Sequence, residues 1–526
     1  MEREVGIIGA GTSGLLACKY VLEMGFNPVV FEARPGVGGL WNHTIKTTKL
    51  QNPKQAYQFS DFPWPSSVKE DFPDHNQVVE YMESYARHFD LLQYIKFNSR
   101  VIGIEYEGAS DEDIASWDLW VGTGDPFSPQ GKWNIRVEEN ICRKSTEVYQ
   151  VVFVILCIGR FSDVPNIPEF ALNQGPEVFD GKVIHSMHYS SMDDVNAARF
   201  IEGKRVTVVG IQKSALDIAN ECAMVNGVEN PCTILYRNAH WKIPHYFPWG
   251  VPLALLYFNR FAELMIHKPG EGFMLNLLAT LLSPLRWLQS KFVESYLRWK
   301  HPLKKHNMIP NQSFNKDVSA CTTGVTPDNF FDRVEEGSII LKKSATFSFC
   351  KIGLMIDGDI APLETDVVIL ATGYKGDEKL KNIFISSTFQ KYIFGASNTT
   401  VPLYRECIHP RIPQLAVIGY SESLNSLYTF EMRCKWLAHL LKGTFKLPRI
   451  KEMEVDVLRW EKYMKDNSGE YFRRSCNSLL HIWYNDQLCK DMKCNPRRKK
   501  GFFKELFEPY GVMDQWTMRI SNLIET

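Results

Sequence analysis

Short runs of apolar, often β-branched residues recur along the chain and alternate with stretches whose apolar positions follow a helical period. The run at 5–8 is followed by a glycine-rich turn at 9–14, a helical stretch at 15–24 and a second run at 28–32. This order of strand, turn, helix and strand predicts a βαβ unit, whose two strands lie parallel in one sheet.

A second unit of the same order begins with a run at 205–209 and returns as a strand at 233–237. Two such units predict an α/β fold with two Rossmann-like, dinucleotide-binding domains. Because apolar strands that end before Gly159 and Gly373 flank the second unit, we expect the second domain to be inserted in the first. The predicted first domain covers 1–165 and 330–445, the second covers 166–329, and a helical, charged cap follows at 446–526.

The second domain carries a predicted helical insert at about 247–305, which contains the most apolar stretch of the chain. That stretch, 273–288, is too short and too often interrupted by polar residues for a transmembrane helix. Its apolar positions recur at helical spacing, and aromatic and basic residues such as Trp287 and Lys291 follow. A helix packed on its own domain fits this pattern, and so does an interfacial helix in peripheral contact with a membrane.

The composition limits which binding partners and which cellular compartment we expect for this protein. The formal net charge is zero, so the chain lacks the overall excess of positive charge that would indicate a nucleic-acid partner. The 12 cysteines are scattered without a Cys-x-x-Cys pair, so neither a metal site nor a redox dithiol is expected. The first strand begins at Val5, which leaves no room for a signal peptide. We therefore expect reduced thiols, no disulfide framework and an intracellular protein, in the cytoplasm or on the surface of the endoplasmic reticulum.

The first turn has the glycines that a dinucleotide-binding turn needs. Gly9 permits the tight turn, Gly11 lets the backbone approach a pyrophosphate, and Gly14 lets the helix pack on the strand. Glu32 ends the second strand, where a carboxylate binds ribose hydroxyls and repels a 2′-phosphate. This site therefore suits FAD or NAD better than NADP.

A second glycine cluster follows at once and favours FAD over NAD. It consists of Gly36, Gly38 and Gly39 with Leu40 and Trp41, in a loop that a plain NAD dehydrogenase does not need. The longer flavin cofactor runs past such a loop. The combination of strand, helix, acidic residue and second cluster therefore predicts an FAD site.

The second turn is an altered copy of the first. Gly210 keeps the tight turn, but Gln212 stands where the second glycine belongs and crowds the approach of a pyrophosphate. Lys213 and Ser214 offer a charge and a hydroxyl to the phosphate. Arg237 ends the next strand and suits the 2′-phosphate of NADPH. The alternative is that this half of the chain has lost its ligand and serves as scaffold.

A motif between the two units resembles the signature of class B flavin-dependent monooxygenases. It consists of Phe179, Gly181, His185 and Tyr189, at the spacing F-x-G-x-x-x-H-x-x-x-Y. Tyr189 favours the N- or S-oxygenating branch, because a tryptophan there is typical of Baeyer–Villiger enzymes. The segments 49–65 and 402–410 resemble a plant clade that includes the pipecolate N-hydroxylase of plant systemic immunity.

The resemblance implies a chemistry that the cofactors largely carry. NADPH reduces FAD, reduced FAD takes up O₂ to form a C4a-hydroperoxyflavin, and a soft nucleophile such as an amine nitrogen or a thioether sulfur attacks it. Neither a protein nucleophile nor a metal is required. The resemblance also implies that Gly159 and Gly373 belong to the FAD site, and that the substrate is a small amine or amino acid of the pipecolate type.

One departure from the family concerns the reactive edge of the flavin. The resemblance places an asparagine where this chain has Gln51, and Asn52 follows one residue later. Gln51 still offers an amide hydrogen bond, with a reach that differs by one methylene. The sequence therefore does not determine the lifetime of the hydroperoxide. The alternatives to an N-hydroxylase are an S-oxygenase, an NADPH oxidase and a non-catalytic flavin-binding regulator.

Further positions have two interpretations or depend on the resemblance alone. His185 is either catalytic or a linker histidine bonded to a backbone carbonyl. Arg405 is either the anchor for the carboxylate of an amino-acid substrate or a structural arginine. Asn425 and Tyr428 are expected to line the flavin pocket because of the resemblance only.

Overall fold

The structure is a computed structural model that describes residues 3–127, 131–139, 145–394, 401–424, 426–473 and 475–515. Two five-stranded sheets of parallel strands form its frame, and smaller sheets flank them. The strands are β1 (Glu4–Ile8), β2 (Asn27–Phe31), β3 (Ile95–Lys96), β4 (Ser99–Glu107), β5 (Lys132–Glu139), β6 (Ser145–Val151), β7 (Phe153–Leu156), β8 (Lys182–His185), β9 (Val206–Val209), β10 (Cys232–Tyr236), β11 (Lys242–Ile243), β12 (Gly324–Val325), β13 (Ile339–Lys343), β14 (Phe347–Cys350), β15 (Gly353–Ile356), β16 (Leu363–Glu364), β17 (Val367–Leu370) and β18 (Leu415–Val417).

Helices pack on these sheets and build the insert and the C-terminal region. They are α1 (Thr12–Glu23), α2 (His75–His88), α3 (Asp111–Ser116), α4 (Ser186–Tyr189), α5 (Asp194–Ile201), α6 (Lys213–Asn226), α7 (Leu253–Tyr257), α8 (Arg260–Leu264), α9 (Phe273–Lys300), α10 (Phe314–Ser319), α11 (Phe330–Glu336), α12 (Gly376–Asn382), α13 (Ser387–Phe394), α14 (Ser426–Lys442), α15 (Ile450–Ser468), α16 (His481–Asp491) and α17 (Phe502–Phe507).

The first sheet has the strand order β18-β7-β1-β2-β3, and the first glycine turn follows its central strand. Nearly all of β1 is buried, because both faces of its sheet are covered, and one of them packs against β5, where Ile8 shares a core with Trp133 and Ile135. α1 and α14 pack together on one face, where Leu15 and Trp436 are fully buried. The strands predicted at 5–8 and 28–32 are confirmed with ends shifted by one residue, and the apolar strand predicted before Gly159 is confirmed as β7.

The second sheet has the strand order β13-β10-β9-β17-β8, and the second glycine turn follows β9. All of its strands lie between β7 and β18 of the first sheet in the sequence. The second domain is therefore inserted in the first. This arrangement confirms the predicted α/β fold with two Rossmann-like domains.

The chain returns to the first domain later than the predicted boundary at 330. β13 and β17 both belong to the second sheet, where β17 pairs with β9 and β8. The predicted boundary is wrong because β17 is a fully buried apolar run, and such a run fits the interior of either sheet. Gly373, a predicted FAD ligand, therefore follows a strand of the second sheet.

Two linkers carry the chain between the sheets, and they lie side by side. Asn166 N donates to Gly373 O at 2.9 Å, and Lys375 N donates to Val164 O at 2.8 Å. These backbone hydrogen bonds fix the outgoing and the returning segment against each other. The relative placement of the two glycine turns depends in part on this pair of linkers.

The insert is built around α9, a helix that is half packed and half exposed. Its C-terminal half buries Val293, Tyr296 and Leu297 in the core of the second domain. Its N-terminal half leaves 78% of the surface of Phe273 and 68% of that of Leu281 exposed. Within the described residues, no helix combines the length and the apolar character that a membrane crossing requires. Packing on the second domain therefore explains the apolar residues of the C-terminal half of α9, but it does not explain those of the exposed N-terminal half.

The C-terminal region packs against both domains. α16 packs on α14 of the first domain, while α15 packs on α10 and α17 packs on α8 of the second. A disulfide between Cys321 and Cys476 joins the segment after α10 to this region. The expectation of reduced thiols is wrong for this pair, because its partners lie 155 residues apart and no local spacing brings them together.

Candidate functional site at the two glycine turns

The first glycine turn is shaped by contacts that only glycine tolerates. Gly9 has a φ of 104°, and a Cβ there would lie 2.5 Å from Cys157 O. A Cβ on Gly14 would lie 1.8 Å from Gly9 O, so α1 packs directly on the turn. Gly11 stands at the N-cap of α1 and has no side chain that could cap the free N–H groups of the first helical turn. These N–H groups form an open anion site after β1.

Glu32 holds its carboxylate next to this turn. One carboxylate oxygen accepts a hydrogen bond from Ala10 N at 2.7 Å, and the other accepts one from Arg34 N at 3.0 Å. Glu32 is 7% exposed, so these amides fix the carboxylate in place. Its remaining lone pairs can accept hydrogen bonds from ribose hydroxyls, and its charge repels a 2′-phosphate.

The second glycine cluster packs against the first turn. Gly38 and Gly39 have φ values of 123° and 55°, which favour glycine at both positions. A Cβ on Gly39 would lie 3.2 Å from Gly11 Cα, so the two glycine segments are in contact. An open helix N-terminus, a fixed carboxylate after β2 and two glycine segments in contact fit the FAD that the sequence predicts.

The side chains after this cluster form a small hydrogen-bonded group. Leu40 is half exposed, whereas Trp41 Nε1 donates to the hydroxyl of Tyr57 at 3.1 Å. The same hydroxyl lies 3.1 Å from Thr12 Oγ1, on the first residue of α1. Burial raises the pKa of Tyr57, so the hydroxyl stays protonated at neutral pH. Trp41 is thereby tied to the start of the helix that would bind the pyrophosphate.

Other glycines follow strands of the two sheets. Gly159 follows β7 with a φ of 67°, and Gly419 follows β18 with a φ of 80°. A Cβ on Gly419 would lie 2.2 Å from Ser13 Oγ on α1, which places this glycine beside the first turn. Gly419 is not among the predicted site residues, although a glycine after the last apolar strand is the same signal that Gly159 gives.

Gln51 and Asn52 lie at the junction of the two domains. The hydroxyl of Tyr246, which follows β11, lies 2.7 Å from Gln51 O and 2.7 Å from Asn52 Oδ1. Asn52 Nδ2 donates to Leu424 O in the first domain. Gln51 Oε1 accepts a long hydrogen bond of 3.4 Å from Val325 N on β12 of the second domain. The additional methylene of Gln51 therefore extends its amide towards the second domain.

The second glycine turn starts like the first and then differs. Gly210 has a φ of 135°, and a Cβ there would lie 2.4 Å from Ala371 O. α6 begins at Lys213 with Gln212 at its N-cap, but the Gln212 side chain leaves the helix N-terminus uncapped. Its Oε1 instead accepts a hydrogen bond of 2.5 Å from Lys242 Nζ.

The predicted NADPH ligands at this turn differ in their availability. Lys213 Nζ pairs with Asp217 Oδ1 at 2.5 Å, one turn further along α6, so its charge is directed along the helix. Ser214 is half-buried in the first turn of α6. Arg237 follows β10 and is exposed, at the strand end where a 2′-phosphate would bind.

Tyr189 of the signature contributes to a contact between the domains. Its hydroxyl donates to Glu221 Oε2 on α6 at 3.0 Å. The other oxygen of Glu221 accepts from Thr47 N at 3.1 Å and from Thr47 Oγ1 at 3.2 Å, and Thr47 belongs to the first domain. Burial raises the pKa of Glu221, and the three donors offset part of this cost. Glu221 therefore joins the signature to the segment that leads to Gln51.

The other signature residues have structural contacts as well. A Cβ on Gly181 would lie 2.3 Å from Phe179 Cζ, so this glycine leaves room for the buried ring. His185 Nδ1 accepts from Met187 N at 3.1 Å, which leaves Nε2 as the donor to Gly373 O at 3.0 Å. Burial lowers the pKa of His185, in agreement with this neutral form. The geometry supports a linker histidine.

Arg405 does not face the junction as a carboxylate anchor. Its Nε lies 2.8 Å from Asp491 Oδ2 and its Nη1 lies 3.3 Å from Asp456 Oδ2. This geometry supports the structural interpretation of Arg405, and both partners come from the C-terminal region, whose fold back onto Arg405 no local pattern reveals. Tyr428 is buried in the core of the first domain, and Asn425 lies outside the described residues.

Known proteins resemble this chain along nearly its whole length. The family model described as flavin-binding monooxygenase-like matches residues 2–505. "Probable flavin-containing monooxygenase 1" of Arabidopsis thaliana is 40% identical over 97% of this chain and 95% of its own length. The N-oxide-forming dimethylaniline monooxygenase 2 of Cavia porcellus is 27% identical over 94% of this chain and 84% of its own length. The solved structure of oxidized steroid monooxygenase bound to NADP has the same fold, with a TM-score of 0.64 at 15% identity over 94% of this chain and 98% of that one.

Replacing Gly14 with alanine is expected to remove most of the bound FAD, because the new Cβ would overlap Gly9 O at 1.8 Å. Gly272→Ala, before α9, is the matched control, since nothing lies within 4 Å of a Cβ at that position. The ratio of flavin to protein absorbance after purification measures the bound cofactor, and circular dichroism checks the fold. Equal flavin content in the two variants would show that the contact between α1 and the turn is not required.

Proposed function

Because the chain belongs to the flavin-binding monooxygenase-like family, we propose that this FAD- and NADPH-dependent monooxygenase hydroxylates the nitrogen of a small amine or amino acid. FAD, NADPH and O₂ are the cofactors and the co-substrate that the family uses. The oxygenated atom and the class of substrate are the parts that we propose. An amino acid of the pipecolate type and a role in plant defence fit the resemblance of segments 49–65 and 402–410 to the plant clade.

The observation that carries the proposal is the pair of amides at the domain junction. The amide oxygens of Gln51 and Asn52 can accept hydrogen bonds from the N–H groups of an amine. Gln51 is exposed, and its bond of 3.4 Å from Val325 N is long, so a substrate N–H can replace it at little cost. A thioether sulfur has no N–H to donate. The name of the relative from Cavia porcellus, which refers to N-oxide formation, also supports nitrogen.

The chain's own contribution is to bind and to position. When bound, the flavin supplies the activation of O₂ and the transfer of oxygen. Gly9, Gly11, Gly14 and Glu32 would hold the FAD pyrophosphate and ribose. Tyr246 holds the backbone of Gln51 and the side chain of Asn52 in fixed positions at the junction.

We expect an N-hydroxylated product from at least one member of a panel of small amines and amino acids. Mass spectrometry identifies the product, and NADPH oxidation in air is expected to accelerate with the same compound, because oxygen transfer to it consumes NADPH. Thioethers of similar size form the matched arm of the panel. Sulfoxides as the sole products would contradict the proposal, and so would H₂O₂ release without any oxygenated product.

We also propose that the exposed half of α9 contacts a phospholipid surface. Its exposed apolar side chains are Phe273, Met274, Leu275, Leu277, Leu278, Leu281, Leu285 and Leu288. No acidic residue lies between Phe273 and Val293, whereas Arg286 and Lys291 are basic. Trp287 is exposed on the same helix, and indole rings are typical of the membrane interface. Arg286 is half-buried and Lys291 pairs with Glu294 at 2.6 Å, so the exposed apolar side chains would supply most of the attraction. The absence of acidic residues among them suits a membrane that contains anionic lipid.

Wild-type protein is expected to sediment with vesicles that contain phosphatidylserine, and a Leu281→Glu/Leu288→Glu variant is expected to stay in the supernatant. The two carboxylates would have to enter the apolar layer of the membrane, which is costly. Val195→Glu, at an exposed site on α5, is the matched control. Wild-type protein that stays in the supernatant would contradict the proposal. A dimer in size-exclusion chromatography that only the double variant loses would show a second copy as the partner instead.

A further inference from the structure

Lys242 is a buried lysine beside the altered second turn. It is the first residue of β11 and is 7% exposed. Its Nζ donates to Gln212 Oε1 at 2.5 Å and to Thr322 O at 3.0 Å. Both acceptors are uncharged. Since an ammonium group has three N–H donors, one donor remains for a ligand.

The ammonium group of Lys242 has no close counter-charge in the part of the chain that the structure describes. No carboxylate oxygen of a described residue lies within 4.0 Å of its Nζ. Asp317 attracts the ammonium from a greater distance, but its oxygens already accept from Trp241 N and Thr322 Oγ1. Burial lowers the pKa of Lys242 to about 7. A buried ammonium in this position is destabilised on its own and would be stabilised by a bound anion.

The acceptor Gln212 connects Lys242 to the N-terminus of α6. In an unaltered turn a glycine at this position lets the pyrophosphate approach the first helical N–H groups. Here the Gln212 side chain leaves these N–H groups uncapped and extends to Lys242. The positive end of a 14-residue helix and a buried ammonium are therefore joined through one side chain.

We infer that Lys242 binds the pyrophosphate of the dinucleotide together with the N-terminus of α6, and so compensates for the glycine that Gln212 replaces. The inference rests on the binding of NADPH by the second domain. It does not depend on which substrate is oxygenated. Arg237 would bind the 2′-phosphate, which is present in NADP⁺ and absent from NAD⁺, whereas Lys242 would bind the part that both dinucleotides share.

A rival occupant is the carboxylate of an amino-acid substrate. A Cβ on Gly324 would lie 3.1 Å from Gln51 Oε1 and 3.5 Å from Lys242 Nζ, so the lysine is also close to the domain junction. The direct hydrogen bond to the N-cap of α6 favours the dinucleotide. The experiment below separates the two anions.

The test measures dissociation constants by calorimetry on the FAD-loaded, oxidised protein, with NADP⁺, NAD⁺ and adenosine 2′-monophosphate as ligands. Lys242→Met is expected to raise the dissociation constants of NADP⁺ and NAD⁺ by a similar factor, between about 10-fold and 100-fold, because both dinucleotides lose a charge-assisted contact. Adenosine 2′-monophosphate has no pyrophosphate, so its affinity should stay within about twofold of the wild-type value. Lys242→Arg keeps the charge and is expected to retain most of the affinity.

Arg237→Ala is the matched comparison. It is expected to weaken the binding of NADP⁺ and of adenosine 2′-monophosphate and to leave the binding of NAD⁺ unchanged. Unchanged affinity of Lys242→Met for both dinucleotides would overturn the inference and would leave the substrate carboxylate as the rival occupant. An equal loss of affinity of Lys242→Met for all three ligands would show that Lys242 has a structural role, and it would also overturn the inference. If Lys242→Met does not retain flavin, Lys242→Gln is measured in its place. Failure of the amine panel would leave these binding constants unaffected, so the two proposals fail separately.

Discussion

Two carboxylates on α6, the buried Asp217 and the half-buried Glu221, hold the two dinucleotide domains against each other, and the arrangement of both glycine turns depends on them. Glu221 accepts hydrogen bonds from Tyr189 and twice from Thr47, and Asp217 accepts one of 2.8 Å from Thr48 Oγ1. Hydrogen bonds to charged groups contribute about 1.5–3 kcal/mol each when buried. Because α6 begins at the second turn, these bonds tie the segment that leads to Gln51 to the same helix that would bind NADPH.

The family signature has a structural meaning in this setting. Gly181 leaves room for the Phe179 ring, His185 donates to Gly373 on the returning linker, and Tyr189 donates to Glu221 on α6. The His185 contact joins the outgoing chain to a segment 188 residues later, and Tyr189 binds the same Glu221 that accepts hydrogen bonds from Thr47 of the first domain. The signature therefore acts as a joint between the domains, and its geometry does not require any of its residues to react with substrate.

Features that depend on neighbouring residues could be predicted from the sequence, and features that depend on distant partners could not. Gly9 and Gly210 are predictable because a tight turn after a strand excludes a Cβ within a few residues of the chain. For Arg405 the sequence leaves two interpretations open, because its partner Asp491 lies 86 residues away. The sequence does not reveal the sheet to which β17 belongs, because the apolar residues of a fully buried strand do not show which strands pair with it. Gln212 could be recognised as a departure, but its partner Lys242 could not, since a bond across 30 residues joins them.

Both departures from the usual pattern, Gln51 and Gln212, extend long amide side chains to β11 and β12 at the domain junction. Gln212 belongs to the second glycine turn, and the central proposal is that NADPH bound there would reduce FAD bound at the first turn. Titration of the FAD-loaded protein with NADPH in the absence of O₂ tests this claim most directly. The account predicts that the visible flavin absorbance bleaches and returns when air is admitted. A flavin spectrum that stays unchanged while NADPH binds would contradict it.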